Sequence, residues 1–81
     1  MYSQFLKLTD LDLEILAYIY DRGGKAYAYQ IYRDLDRSPG SVYRSLLKLW
    51  GLKFVERVET ENKVYWVLTE QAKQLLEELL K

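Results

Sequence analysis

The chain has 81 residues, enough for one modest hydrophobic core and too few to enclose much of an active site. Its 12 basic and 12 acidic residues cancel, so overall charge alone points to neither nucleic acid nor a membrane surface. Cysteine and histidine are absent, which removes disulfides, thiolate metal sites and histidine acid–base chemistry and argues against an enzyme, a metal or another cofactor.

Met1 to Lys7 lacks the basic start and apolar run of a secretion signal, and no stretch approaches the ~20 apolar residues that span a bilayer. A soluble, cytoplasmic protein is expected. Thr9 with Asp12 resembles a capping box, and Asp10, Asp12 and Glu14 sit where a helix dipole favours anions, so a first helix is predicted from about Asp10 to Asp21, closed by Gly23 and Gly24. Its projection carries Leu11, Ile15, Tyr18 and Ile19 on one side and Leu13, Leu16, Ala17 and Tyr20 on roughly the other. Both stripes need cover.

Lys25-Ala26-Tyr27, after the glycine pair, reads as a brief strand. A second helix from about Ala28 to Leu35 follows, with Ile31 and Leu35 one turn apart. Asp36 and Arg37 then form a tight link to Ser38, the spacing of a helix-turn-helix, although that turn usually holds an apolar residue where Arg37 stands. Ser38 can cap a third helix, Pro39 suits its first position, and Gly40 and Ser41 keep the first turn small enough for phosphate to approach. At about 100° per residue Val42, Leu46 and Leu49 share a narrow sector, and Arg44 points away from it. Ser41, Ser45 and Lys48 lie on one flank; Tyr43, Leu47 and Trp50 lie on the other. Either Gly51 ends this helix or Lys53 takes the cap position that glycine often holds.

Phe54 to Val58 and Lys63 to Thr69 are rich in β-branched and aromatic residues and read as a hairpin around Glu59-Thr60-Glu61-Asn62. Thr69 caps a last helix on which Ala72, Leu75, Leu76 and Leu79 share a face, with Leu80 at its edge. The expected fold class is therefore α+β, mainly α: a three-helix core with a short strand, a β-hairpin wing and a C-terminal helix, forming one domain over residues 1–81. That order is the winged helix-turn-helix.

The charges support a local positive face. From Lys25 to Arg57 there are seven cations and three anions, with net acidic segments on either side. A protein of zero net charge can thus present one basic surface.

Leu13 to Leu35, Ser38 to Leu49, Phe54 to Val58 and Lys63 to Leu76 together resemble PadR-type and, more loosely, MarR-type winged-helix transcriptional regulators. Tyr29 and Ile31 look like residues of that family's second helix, Ser41-Val42-Tyr43 like its recognition segment, and Leu68-Thr69-Glu70 like its exit from the wing. Ala28 and Ala72 stand where glycine is usual, and Trp66 where tyrosine is common. The resemblance implies a regulator of transcription that binds double-stranded DNA, a repressor, with the longer C-terminal region of many relatives absent.

Residues Ser38 to Trp50 are the predicted recognition helix, placed in the major groove with Ser41, Arg44 and Lys48 contacting bases. Arg44 is suited to guanine O6 and N7. Predicted backbone contacts are Lys25, Tyr29, Arg33, Ser38, Gly40, Tyr43, Arg57 and Lys63. The wing tip, with Glu59 and Glu61, is expected to stay outside the DNA.

A two-fold homodimer is expected, because such regulators read half-sites roughly 34 Å apart. Its interface is predicted from Leu13, Leu16, Tyr20, Leu75, Leu76, Leu79 and Leu80, joined by Tyr2, Phe5 and Leu6; the alternative is that the chain's own termini bury these residues. No phosphate loop or charged pocket identifies a small-molecule effector. The competing function is a winged helix used as a protein-interaction module in a larger nucleic-acid-processing assembly.

Overall fold

In the computed structural model, which describes residues 7–80, the first helix begins with reciprocal hydrogen bonds. The Asp12 N–H donates to Thr9 Oγ1 at 3.1 Å and the Thr9 N–H donates to Asp12 Oδ2 at 2.9 Å, opening α1 (Asp10–Asp21) as the sequence predicts. Gly23 and Gly24 close it with φ of 83° and 97°, a region that glycine enters without the clash a Cβ would bring. The Gly24 N–H reaches the Ile19 carbonyl at 2.9 Å, and the Gly24 carbonyl accepts the Leu68 N–H at 2.8 Å. The turn that stops α1 therefore also sets β1 (Lys25–Tyr27) beside the later hairpin.

In α2 (Ala28–Asp34) the Tyr27 N–H finds a partner in Gln30 Oε1 at 3.1 Å. The link that follows uses Asp36 at φ 54°, a left-handed conformation that aspartate tolerates better than most residues. Arg37, which replaces the usual apolar residue of this turn, reaches back 2.7 Å to Glu14 of α1. Ser38 then accepts the Ser41 N–H at 3.2 Å, Pro39 takes the first turn, and α3 (Pro39–Gly51) follows.

Of the two stops that the sequence permits for α3, Lys53 is the one used. It adopts φ 69°, its N–H bonds the Trp50 carbonyl at 3.0 Å, and the Phe54 N–H bonds the Leu49 carbonyl at 2.9 Å. A lysine in this position carries the strain that glycine avoids. Lys53→Gly should therefore stabilise the fold by about 0.5–1 kcal/mol, read as a melting temperature higher by roughly 3–6 °C.

The hairpin comprises β2 (Val55–Glu59) and β3 (Val64–Leu68), and β3 is the central strand of an antiparallel sheet ordered β1-β3-β2. Trp66 lies across from Ala26 on one side and Arg57 on the other. β2 begins and ends one residue later than predicted, and β3 is shorter by one residue at each end, because the flanking residues have other roles. Phe54 is buried in the core, and Thr69 caps α4 (Glu70–Leu79) by accepting the Ala72 N–H at 3.2 Å while its hydroxyl donates to the Lys53 carbonyl at 2.8 Å.

One continuous cluster joins Ile15, Leu16 and Ile19 of α1 to Ile31, to Val42, Leu46 and Leu49 of α3, to Trp66 and Leu68 of β3, and to Leu75 and Leu76 of α4. Three members of the predicted dimer interface are thereby corrected. Leu16, Leu75 and Leu76 are buried within a single chain, because α1 packs on α3, the sheet and α4 together; of the second stripe Leu16 is fully covered and Ala17 stays exposed. Leu13 and Tyr20 are half-buried, whereas Leu79 and Leu80 stand 59% and 68% exposed. Tyr2, Phe5 and Leu6 lie outside the described residues. No described helix is long and apolar enough to cross a membrane.

Candidate nucleic-acid interface

Burial of Val42, Leu46 and Leu49 turns the opposite side of α3 outward, as the helical spacing predicts. Arg44 is exposed there and has no ion-pair partner among the described residues. Ser38 and Gly40 are exposed at the helix start, where the unpaired backbone N–H groups and the positive end of the dipole face solvent. The half-buried Ser41 hydroxyl accepts from Ser38 Oγ at 2.8 Å and keeps its own proton for another partner.

Lys48 is placed differently from the expectation. Its ammonium sits 2.7 Å from Asp12 Oδ2 and donates at 2.9 Å to the Lys7 carbonyl, so it clasps the first turn of α1 and does not stand free for a base. The Asp12 side chain is only 3% exposed, that of Lys48 37%. Ser45, also buried, donates its hydroxyl to Asp12 Oδ1. Burial alone would raise the Asp12 pKa. Hydrogen bonds from Lys48, Ser45 and the Thr9 backbone, together with the Lys48 charge, outweigh it and hold the carboxyl below its ordinary value.

Several other cations are held as well. Arg33 pairs with Asp34 at 2.9 Å, Arg37 with Glu14 at 2.7 Å, and Arg57 with Glu59 at 3.4 Å. Lys25 and Lys63 instead lie over aromatic rings, 5.2 Å from the Tyr65 centroid and 5.4 Å from that of Tyr27. The basic middle of the sequence thus yields a thinner positive field than its formal excess suggests. The three surface pairs of Arg33, Arg37 and Arg57 lie in solvent and exchange readily with a phosphate, whereas Lys48 is held by the buried Asp12.

Tyr29 and Tyr43 are both exposed and border a groove between α3 and the hairpin. Sequence reasoning did not assign Leu47 or Trp50 to any site, yet both are exposed on the same flank of α3, and Trp50 makes an edge-on contact with Trp66 at 6.0 Å between centroids. Their shared spacing with Tyr43 was a visible signal of a common flank. Asp12 was missed because its capping role already accounted for an acid at that position.

Comparison with solved structures places this arrangement. A ZitR variant from Lactococcus lactis superposes with TM-score 0.82 at 27% identity, over 91% of this chain and 51% of that one. A MarR family protein from Bacillus stearothermophilus gives TM-score 0.82 at 16% identity, over 91% and 52%. The fold is the winged helix. BpsR from Bordetella bronchiseptica, whose DNA binding is regulated by 6-hydroxynicotinic acid, matches with TM-score 0.82 at 22% identity, over 91% and 54%. The chain spans about half the length of these solved structures. No family model matches the sequence, and no curated protein matches it either. In winged-helix terms α2 and α3 are the helix-turn-helix, and β2 with β3 is the wing.

Proposed function

We propose that this winged helix is the double-stranded DNA-binding part of a cytoplasmic transcription regulator, PadR-like or MarR-like, which acts as a homodimeric repressor with α3 in the major groove. The observation that carries the reading is Arg44, exposed and unpaired among the described residues at the centre of the outward face of α3. Arg44 would read guanine with Ser41 beside it. Ser38, Gly40, Lys25, Tyr29, Arg33, Tyr43, Arg57 and Lys63 would hold the backbone. Lys48 would act through the pose of α3, not by touching a base. Leu79 and Leu80 are the most exposed part of the expected dimer surface among the described residues.

Sequences selected from a random DNA pool test this directly. Wild type should bind its selected site with an affinity that falls steeply as salt rises, through release of counterions from phosphate. Arg44→Ala should lose about 10- to 100-fold of that specific affinity with an unchanged melting temperature. Equal binding by the two proteins would remove Arg44 from the reading role.

A second reading, as a protein-interaction module, is favoured by exposed Leu47 and Trp50 on α3, since apolar side chains gain most by burial against a partner. An α3-dependent complex that persists unchanged in high salt would favour it.

A further inference from the structure

On the flank of α3 away from Lys48 lies a groove of about 640 Å³. Tyr27 enters it from the end of β1, Tyr29 from the start of α2, Tyr43 and Leu47 from α3, and Trp66 from β3. The wing contributes Arg57, Asn62 and Lys63. Tyr43 and Leu47 are 45% and 54% exposed, so the α3 wall is open to an incoming ligand.

In and beside the groove, cations lie over aromatic rings. Tyr65, Tyr27 and Tyr29 form a column, with centroids 4.9 Å and then 5.8 Å apart, the second pair nearly parallel at 18°. Lys25 stands over Tyr65, Lys63 over Tyr27, and Arg33 over Tyr29 at 5.6 Å. Tyr43 has no ring partner among the described residues. Two carboxylates also lie in this region, Glu59 on Arg57 and Asp34 on Arg33, and each would yield its cation to a phosphate.

A duplex offers base edges and backbone to a protein, while its base faces are stacked on one another. Exposed aromatic side chains beside cations instead match unpaired bases, which stack on aromatic rings while their phosphates meet lysine and arginine. We propose that this groove binds a short stretch of single-stranded DNA. Its bases stack against Tyr43, and against Tyr29 once Arg33 leaves that ring for a phosphate; its other phosphates lie on Lys63 and Arg57, and the Asn62 amide supplies a donor and an acceptor for a base edge. The single-strand site stands on the groove's own residues; only its assignment to DNA over RNA rests on the reading of α3 as a duplex-DNA helix that borders it. Tyr29, Tyr43, Arg57 and Lys63 also serve the duplex backbone in that reading, so a single strand in the groove and a duplex on α3 compete for them.

The test is fluorescence anisotropy with a labelled oligothymidylate of about ten nucleotides, an oligouridylate of equal length, and a selected duplex. Wild type should bind oligothymidylate. Tyr29→Ala and Tyr43→Ala should each weaken that binding about tenfold, Lys63→Glu at least as much, with each variant's fold checked by thermal melting. Arg44→Ala should bind oligothymidylate as wild type does while losing the duplex. The proposal is overturned if wild type fails to bind oligothymidylate at low salt, if folded Tyr29→Ala and Tyr43→Ala bind it as tightly as wild type, or if oligouridylate is preferred. Oligothymidylate binding that persists with no duplex binding supports the groove and sinks the α3 reading alone.

Discussion

Leu16→Glu should leave the chain unfolded, not monomeric. Leu16 is buried in the core cluster that also holds Ile15, Ile19, Leu75 and Leu76, so a glutamate there must either place a carboxylate in an apolar core or expel α1 from it. Either costs more than about 4 kcal/mol. A domain of this size has roughly 4–12 kcal/mol in total, so most of the folded population would be lost. Circular dichroism at room temperature checks this by the disappearance of a cooperative melt. The contrast is Leu79→Glu with Leu80→Glu, where both side chains are exposed and the same charges should leave the melt intact. A folded, cooperatively melting Leu16→Glu protein would show that α1 is not packed as described.

Lys48→Met should cost about 2–3 kcal/mol of stability at neutral pH, through the partner it leaves behind. Asp12 would then keep its charge in a buried position with only Ser45 and the Thr9 amide to hold it. Because Lys48 is partly exposed, its own return to water is easy, and the penalty falls mainly on Asp12.

The pH dependence fixes the sign. The folded carboxyl titrates below its unfolded value of about 3.9, so the stabilisation is complete above that value and is lost as pH falls through the folded pKa. Once Asp12 is protonated, Lys48 has no charge to meet, and the difference between the two proteins should shrink towards zero. Urea unfolding at pH 7 and at successively lower pH below about 3.9 follows the difference between the two proteins as Asp12 is protonated. A lysine devoted to base contact would give the opposite result, with DNA affinity lost and stability unchanged at every pH.

Helix boundaries were legible wherever a stop or start depends on local chemistry. Thr9 with Asp12, Gly23 with Gly24, and Ser38 with Pro39 each satisfy or forgo backbone hydrogen bonds without help from distant residues. The winged-helix order and the outward position of Arg44 followed from these signals and from periodicity. Partner choice across the fold was not legible. Two apolar stripes on α1 say that both sides need cover, but not that α3, the sheet and α4 of the same chain provide it. Lys48 projects from the polar side of α3, and only the packing of α1 against that flank brings it to Asp12. Likewise Arg37 reads as a cation out of place in a turn until Glu14 is seen beside it.

The clasp at Lys48 has a mechanical consequence. Its ammonium grips the Lys7 carbonyl as well as Asp12, so the segment entering α1 is fastened to the last turn of α3. Tension applied to the chain just ahead of Thr9 is therefore delivered to α3 without passing through the helix-turn-helix link or the wing. A lever of this kind makes the orientation of α3 answer to whatever holds the start of the domain.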